Sequence, residues 1–198
     1  MSITGAQPRT IFVAFKQDSL ASKNVVGYGA DGTGLTFDLL PYGGGGAKII
    51  GHMYGGGYDT IGATTQTYAA NQLTVATMDY DGTNVHLFQH DQSFNGPIAT
   101  QTMVLNTSNS AIQIGAGSFG GYNVWNGDIA EVLIYNGVMS SQDRIAVDNY
   151  LFTKYSMTPA AFEAFITPAP EPGTGLLMFG ALVVSLAVKR RNKSRSQA

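Results

Sequence analysis

Hydrophobic residues in the first 135 positions recur mainly at every second position rather than every third or fourth. A period of two is typical of strands with one buried face, because successive side chains point to opposite faces of a sheet. Gly-, Asn- and Asp-rich turns separate these segments at fairly regular spacing, which indicates a sandwich or barrel. The predicted strands are Arg9–Phe15, Val25–Tyr28, Leu35–Leu40, Lys48–Tyr54, Leu73–Tyr80, Asn84–Gln89, Thr102–Leu105, Ala111–Ile114 and Ile129–Tyr135.

A β-hairpin is the clearest local prediction. The pair Asp81-Gly82 lies between two alternating segments, one ending at Tyr80 and the other beginning at Asn84. Asp and Gly tolerate the positive φ of a tight turn, so the two segments are expected to pair directly.

One segment near residue 145 has the pattern of an amphipathic helix. Ser140 can cap it, and Asp143 three residues later completes a capping box. Its apolar stripe is formed by Ile145, Val147, Leu151, Phe152 and Tyr155. We expect the helix to lie across the sandwich, so that residues 1–156 form one domain and residues 157–169 a linker rich in Thr, Ala and Pro.

The last 29 residues have a different pattern. Pro170-Glu171-Pro172 precedes an uncharged apolar run from Gly173 to Val188, and five cations follow within residues 189–195. An apolar run that ends in a cluster of positive charges is typical of a segment that enters a bilayer with Lys and Arg on the cytoplasmic side. Sixteen residues give roughly 24 Å of helix, short of the ~30 Å hydrocarbon core, so the run can span only if the bilayer thins or Lys189 and Arg190 snorkel. A permanent anchor helix and a buried helix of a soluble fold remain as alternatives.

This order of Pro-Glu-Pro-Gly, short apolar helix and Arg-rich end resembles the PEP-CTERM sorting signal of Gram-negative envelope and biofilm proteins. The resemblance implies that an exosortase at the inner membrane recognises the chain and cleaves it near Pro170, Glu171 and Pro172. Arg190 and Arg191 belong to the basic end of the signal. The mature protein would then keep no membrane helix and would reach the cell surface or extracellular matrix.

Charge and composition narrow the remaining possibilities. Residues 1–172 contain all 13 acidic residues and six of the 11 basic ones, a net charge of −7, so nucleic acid is not an expected partner. Charged residues make up 12% of the chain against a usual ~25%, which favours an extracellular all-β protein over a cytosolic enzyme. The chain has no cysteine, which excludes disulfides, thiol catalysis and cysteine-ligated zinc.

The segments after residue 110 resemble a known fold family. Ala111–Gly115, a Gly-rich loop, Trp125–Tyr135 and the helix that opens at Met139-Ser140 look like the C-terminal half of a LamG-like, concanavalin A-like jelly roll. The Asp81-Gly82 hairpin occupies the place of that family's strand, turn and strand, although His90-Asp91 stands where the family usually has Asn-Gly. The resemblance covers roughly Arg9 to Tyr155 and implies an all-β jelly-roll sandwich.

Two expected features are missing at the N-terminus. The family's first strands have no counterpart before Arg9, which would leave unpaired sheet edges. Residues 1–9 also show no basic start, apolar stretch or small-residue cleavage site, although delivery across a membrane requires an export signal. We therefore expect the domain to be N-terminally incomplete, with the sequence starting inside a longer reading frame.

Hydrolases that share this fold use two carboxylates on one strand face. Glu131 is the single glutamate before residue 163, and its nearest strand carboxylate, Asp128, is three positions away. A regular strand would point the two side chains to opposite faces about 10 Å apart. The sequence therefore predicts a structural role for Glu131 and no catalytic residues.

The sequence gives little support for a metal or cofactor site. His86 and His90 would lie roughly 13 Å apart along a strand and its end, and His52 stands alone, so no histidine cluster is expected. The glycines of Gly115–Gly120 match a dinucleotide fingerprint, but no helix follows them. LamG-like domains often bind calcium, and possible oxygen ligands, each also an ordinary turn residue, are Asp31, Asp79, Asp81 and Asp91.

Together, the two resemblances imply a non-catalytic exported surface or matrix protein of a Gram-negative biofilm former, which by analogy with the fold family would bind extracellular polysaccharide or an envelope protein. Aromatic residues beside Gly-rich loops could stack on sugars, although Trp125 is more consistent with the core. These residues are Tyr54, Tyr58, Tyr122 and Trp125. The alternatives are a structural envelope component without a small ligand and a degenerate hydrolase-like domain that keeps its C-terminal anchor.

Overall fold

The computed structural model describes residues 3–42, 48–54, 61–62, 68–90, 96–117, 123–156 and 182–184. The residues of the sorting signal, Pro170, Glu171, Pro172, Arg190 and Arg191, lie outside this part of the chain. Among the described residues, no helix is long and apolar enough to cross a membrane.

Within these described ranges, eleven strands form two antiparallel sheets. The strands are β1 (Arg9–Gln17), β2 (Val26–Gly29), β3 (Thr36–Tyr42), β4 (Lys48–His52), β5 (Ile61–Gly62), β6 (Leu73–Tyr80), β7 (Asn84–Gln89), β8 (Ala99–Thr102), β9 (Gln113–Ile114), β10 (Gly127–Asn136) and β11 (Leu182–Val184). The six-stranded sheet has the order β11-β10-β1-β6-β7-β8, and the five-stranded sheet has the order β5-β4-β3-β2-β9. The predicted two-sheet sandwich with one C-terminal helix is confirmed.

The main core lies between the two sheets. Alternate residues of β1, such as Ile11, Val13 and Phe15, face Phe37 and Leu39 of β3 and are fully or almost fully buried. This is the arrangement that the period-two pattern predicts, because each strand gives every second side chain to the core.

An arginine is also buried in this core. Arg9 has no exposed surface, and its guanidinium donates to the Tyr28 hydroxyl (3.1 Å) and to the Gly5 carbonyl (2.9 Å). Its charged centre lies 4.7 Å from the ring centre of Phe37 and 5.2 Å from that of Tyr80. No carboxylate of the described residues pairs with it, so aromatic faces and two oxygens hold the charge.

The helix α1 (Ser141–Ser156) packs on the other side of the six-stranded sheet. Ser140 caps it as predicted: its Oγ accepts a bond from the Asp143 amide (3.1 Å) and donates to Asp143 Oδ2 (2.7 Å). Val147 and Leu151 pack in a second apolar cluster with Phe12 and Leu133 of the sheet. Burial of this stripe fixes the helix on the sandwich.

The predicted strand Thr102–Leu105 is wrong. The strand there is β8, which ends at Thr102, and the next residues leave the ladder: the Leu105 amide donates to the Tyr80 hydroxyl (3.1 Å). Met103 and Leu105 are buried while Val104 is 71% exposed. Alternating hydrophobicity reports alternating burial, and here the burial occurs without strand pairing.

Most of the predicted tail helix, 173–188, lies outside the described residues. Leu182–Val184 is described, and it is a strand that pairs antiparallel with β10 at Val132, Leu133 and Ile134. At these three residues the helix prediction is wrong. Beta-branched residues favour strands, and β10 offers backbone groups on the side not paired with β1, so an extended segment can satisfy its hydrogen bonds there.

Candidate functional site

The five-stranded sheet has a face turned away from the core, which we call the outer face. Asp38 of β3 points there, because its neighbours Phe37 and Leu39 point into the core. Asp38 stands opposite Gly27 on β2 and opposite His52 on β4, and Gly27 stands opposite Gln113 on β9. Directly opposite residues share a face, so Gln113, Gly27, Asp38 and His52 form one line across four strands, which we call the polar row.

Gly27 provides the space in which the Asp38 carboxylate lies. A Cβ at residue 27 would overlap Asp38 Oδ1 and would lie 2.5 Å from its Cγ. On its other oxygen, Asp38 accepts a hydrogen bond from the Asn24 side-chain amide (2.8 Å). Asp38 is completely buried, and Asn24 nearly so. Asp38 therefore lies beneath the surface at the middle of the polar row, where it holds the Asn24 side chain in place.

Two exposed tyrosines lie near the polar row at different distances: Tyr54 contacts His52, whereas Tyr42 is four residues along β3 from Asp38 and opposite Lys48. Tyr42, on the same face of β3, is 43% exposed, and Tyr54 is 38% exposed. The Tyr54 ring meets the His52 ring edge to face, with centres 6.0 Å apart. Its backbone has φ of 60°, a left-handed conformation that is rare for an aromatic residue. Backbone outliers of this kind concentrate at functional sites, so the conformation of Tyr54 makes this end of the outer face a candidate site.

Of the other predicted aromatic platforms, Tyr58 and Tyr122 lie outside the described residues. Trp125 is a core residue, as predicted. It is 8% exposed and packs edge to face on Phe15, with ring centres 5.3 Å apart.

Of the carboxylates proposed as calcium ligands, Asp31, Asp79 and Asp81 lie within the described residues, in separate surroundings. Asp81 shapes the hairpin: its Oδ1 accepts bonds from the amides of Thr83 (2.7 Å) and Asn84 (2.6 Å). These bonds lower the pKa of Asp81, against the opposing effect of desolvation. Asp79 is buried and bonded to His86 Nδ1 (2.7 Å), and Asp31 lies in an exposed turn. Asp91 lies outside the described residues, within which no three His, Asp or Glu side chains converge on a metal position.

The prediction that Asp128 and Glu131 point to opposite faces is wrong. Glu131 stands opposite Ala14 and Asp128 opposite Lys16, and these β1 residues are two apart. A β-bulge shifts the register between Ala14 and Phe15, so β10 has one extra residue and both carboxylates lie on the face that carries α1.

The structural role predicted for Glu131 is confirmed. Glu131 is 4% exposed and accepts bonds from Lys154 Nζ (3.0 Å) and the Tyr155 hydroxyl (2.8 Å), which join β10 to α1. Asp128 pairs separately with Lys16 at 2.9 Å. Each carboxylate thus has its own cation, and Glu131 has little access to solvent.

A second buried ionic group was missed by reasoning from sequence. On α1, Asp148 accepts bonds from Arg144 (2.8 Å) and from the Thr77 hydroxyl of β6 (2.7 Å). Burial raises the pKa of Asp148 to about 6, although the Thr77 bond and Arg144 oppose this rise. Arg144 also lies 4.0 Å from the ring centre of Phe88. The four-residue spacing of Arg144 and Asp148 was the available signal, but such pairs are usually exposed on a helix surface.

Comparisons with solved structures identify the same fold at low sequence identity. A native heptameric SAP-like pentraxin from Limulus polyphemus matches with a TM-score of 0.56 at 9% identity, over 73% of this chain and 71% of the pentraxin. A sialidase CBM40 domain from Ruminococcus gnavus, bound to α2,3-sialyllactose, matches with a TM-score of 0.54 at 19% identity, over 72% and 82%. Domain 4 of an extracellular arabinanase from Geobacillus stearothermophilus, in complex with arabinotriose, matches with a TM-score of 0.52 at 15% identity, over 72% and 66%.

No curated protein matches the sequence. A family model does: the model described as the concanavalin A-like lectin/glucanases superfamily, of the laminin G type, matches residues 3–145. This range includes the strands β1 to β10 and the first residues of α1. The chain therefore belongs to the concanavalin A-like lectin/glucanase superfamily.

Proposed function

We propose that this protein is a non-catalytic glycan-binding module that uses the outer face of the five-stranded sheet. The observation that carries the proposal is the combination of a polar row ordered by buried Asp38 with exposed aromatic rings at Tyr42 and Tyr54. Sugars present hydroxyl groups at their edges and C–H groups on their faces. A site of polar side chains beside aromatic rings matches both kinds of surface.

The residues of the polar row have different parts in this proposal. His52 and Gln113 are partly exposed and can exchange hydrogen bonds with sugar hydroxyls, because imidazole and amide groups both donate and accept. Asp38 is a positioning residue, since its side chain is buried and holds Asn24. Tyr54 offers a ring face next to His52.

Binding without catalysis is favoured by the distribution of carboxylates. On the four strands that the polar row crosses, β2, β3, β4 and β9, Asp38 is the one acidic residue within their described bounds. Glycoside hydrolysis by the common mechanisms needs two carboxyl groups across the scissile bond. The arabinotriose and sialyllactose complexes of the two structural neighbours agree with glycan binding on this fold, although one fold hosts many functions.

The proposal can be tested by polysaccharide pull-down and a glycan array with the full chain. Replacing Tyr54 by Ala should weaken binding by about tenfold, since an aromatic contact contributes on the order of 1 kcal/mol or more. The matched control is Val138→Ala, because Val138 is equally exposed (38%) but lies beyond β10 on the other sheet. Equal binding by both variants would place the ligand elsewhere, and no binding by the wild type would favour a structural envelope component.

We also propose that the tail directs export and sorting. Pro170-Glu171-Pro172 would be recognised by an exosortase after the apolar run has inserted in the inner membrane, with Arg190 and Arg191 on the cytoplasmic side. Replacing Glu171 and the two prolines by Ala should leave a larger, membrane-bound form in an exosortase-containing host, visible by immunoblot of cell fractions. Normal processing of this variant would refute the proposed signal, and a wild-type chain that is never shortened would favour a permanent anchor.

A further inference from the structure

A cavity lies away from the outer face, where the C-terminal part of α1 meets the start of β6 and the end of β7. It has a volume of about 320 Å³, and the residues that define it here are Tyr68, Gln72, Thr74, Gln89, His90 and Phe152. This volume is at the lower end of the range for small-molecule sites. None of the polar-row residues lines it.

The cavity walls are held in place by contacts within the domain. The Tyr68 hydroxyl donates to Gln17 Oε1 (2.7 Å), and Gln17 in turn donates to the Ala21 carbonyl (2.9 Å). On the opposite side the His90 ring stacks on Phe152 of α1, with centres 4.5 Å apart and planes at 29°. The His90 amide donates to the Val75 carbonyl (2.9 Å). A site whose walls are already fixed loses little conformational entropy when a ligand binds.

The chemistry of the lining selects one class of ligand. Its residues are aromatic, amide, hydroxyl, imidazole or aliphatic, and no Asp, Glu, Lys or Arg belongs to the described lining. A charged ligand would lose its hydration without gaining a counter-charge from these described residues. Amides and hydroxyls both donate and accept, as sugar hydroxyls do, and aromatic walls match the C–H face of a sugar ring. We propose that this cavity is a second binding site, which accepts a single neutral sugar unit or a similar polyol.

The proposal can be tested by NMR titration of the full chain with D-glucose, D-galactose and L-arabinose, and with glucuronate and glucosamine as charged comparisons. Neutral sugars should shift the amide resonances of Gln72, Thr74 and His90, and the charged sugars should bind at least about tenfold more weakly. Absence of shifts at these amides, or equal affinity for charged sugars, would overturn the proposal.

Two variants separate this site from the outer face. Ala69 lines the cavity at an exposed position, so Ala69→Trp should fill it without disturbing the core and should abolish the shifts. Ala70→Trp is the matched control, since Ala70 does not line the cavity. Tyr54→Ala should leave the shifts unchanged. Persistence of the shifts in Ala69→Trp would refute the site, whereas their loss in Tyr54→Ala would assign them to the outer face. Equal thermal unfolding midpoints would show that each variant is folded.

Discussion

At the scale of single residues, the outer face depends on the fit between Gly27, which has no side chain, and the buried carboxylate of Asp38. Asp38 fits over β2 because residue 27 is glycine, and it holds Asn24 from that position. Sequence reasoning identified Tyr54 by its place beside a Gly-rich loop and placed Trp125 in the core. It missed Asp38, because a lone aspartate in an alternating strand has the same pattern as any solvent-facing polar residue.

Gly27→Ala is expected to destabilise the fold by about 2–3 kcal/mol, because the new methyl group would displace the Asp38 carboxylate and break its bond to Asn24. Urea unfolding would measure this. In the double variant Gly27→Ala/Asp38→Ala the loss should be smaller than the sum of the two single losses, since the displaced carboxylate is absent. Additive losses would mean that the two residues do not interact.

At Arg9, we expect lysine, which keeps the positive charge, to destabilise the fold more than uncharged methionine. Arg9→Lys should cost about 2–4 kcal/mol, because an ammonium cannot reach both Tyr28 and Gly5 while it lies among the aromatic rings. Arg9→Met should cost less, since it removes the buried charge and keeps a side chain of similar length. Chemical unfolding of both variants checks the order, and a lysine variant more stable than the methionine variant would contradict it.

At the scale of elements, α1 is joined to the sheet by apolar packing, by the ion pair of Lys154 with Glu131, and by the bond from Thr77 to Asp148, which also pairs with Arg144 within the helix. The sequence predicted where the helix begins, because Ser140 and Asp143 form a local capping motif. The bulge in β10 could not be predicted, because an extra residue in one strand is defined only by the register of its partner. That bulge is the reason that Asp128 and Glu131 share a face.

The raised pKa of Asp148 predicts a pH dependence of stability. Its folded pKa of about 6 exceeds the unfolded value of 3.8, so the folded state binds more protons between these values. The free energy of unfolding should therefore fall as pH rises from about 4 to about 6, by on the order of 2 kcal/mol from this group. Asp148→Asn should flatten this part of the curve, as measured by urea unfolding at several pH values. Asp79, whose pKa burial also raises, should leave a residual slope of the same sign. An unchanged slope in Asp148→Asn would contradict the assignment.

At the scale of the whole molecule, contacts among residues 3–156 hold the two sheets and α1 together. The strand β11 adds three residue pairs at the edge of β10. The core therefore belongs almost entirely to the part of the chain before the predicted linker. The tail contributes a short strand to this domain, and this strand would have to leave β10 for the membrane-inserted form that the proposed sorting role requires.

A chain that ends at Ser156 is accordingly expected to fold cooperatively, with a stability within about 1–2 kcal/mol of the full chain, because it loses the few hydrogen bonds between β10 and β11. Circular dichroism and urea unfolding of both chains would check this. A shortened chain that fails to fold would show that the tail is part of the domain.

The sequence by itself determined the local features: most of the strands, the Asp81-Gly82 turn, the cap of α1, and the family resemblance that the match over residues 3–145 bears out. Each depends on neighbours within a few positions, whose spacing is fixed by backbone geometry. Only the tertiary structure decided the polar row, the bulge, the buried charges of Arg9 and Asp148, and the strand at Leu182–Val184. These features arise where distant segments meet, and their energies depend on burial and register between strands, which no local pattern of residues specifies.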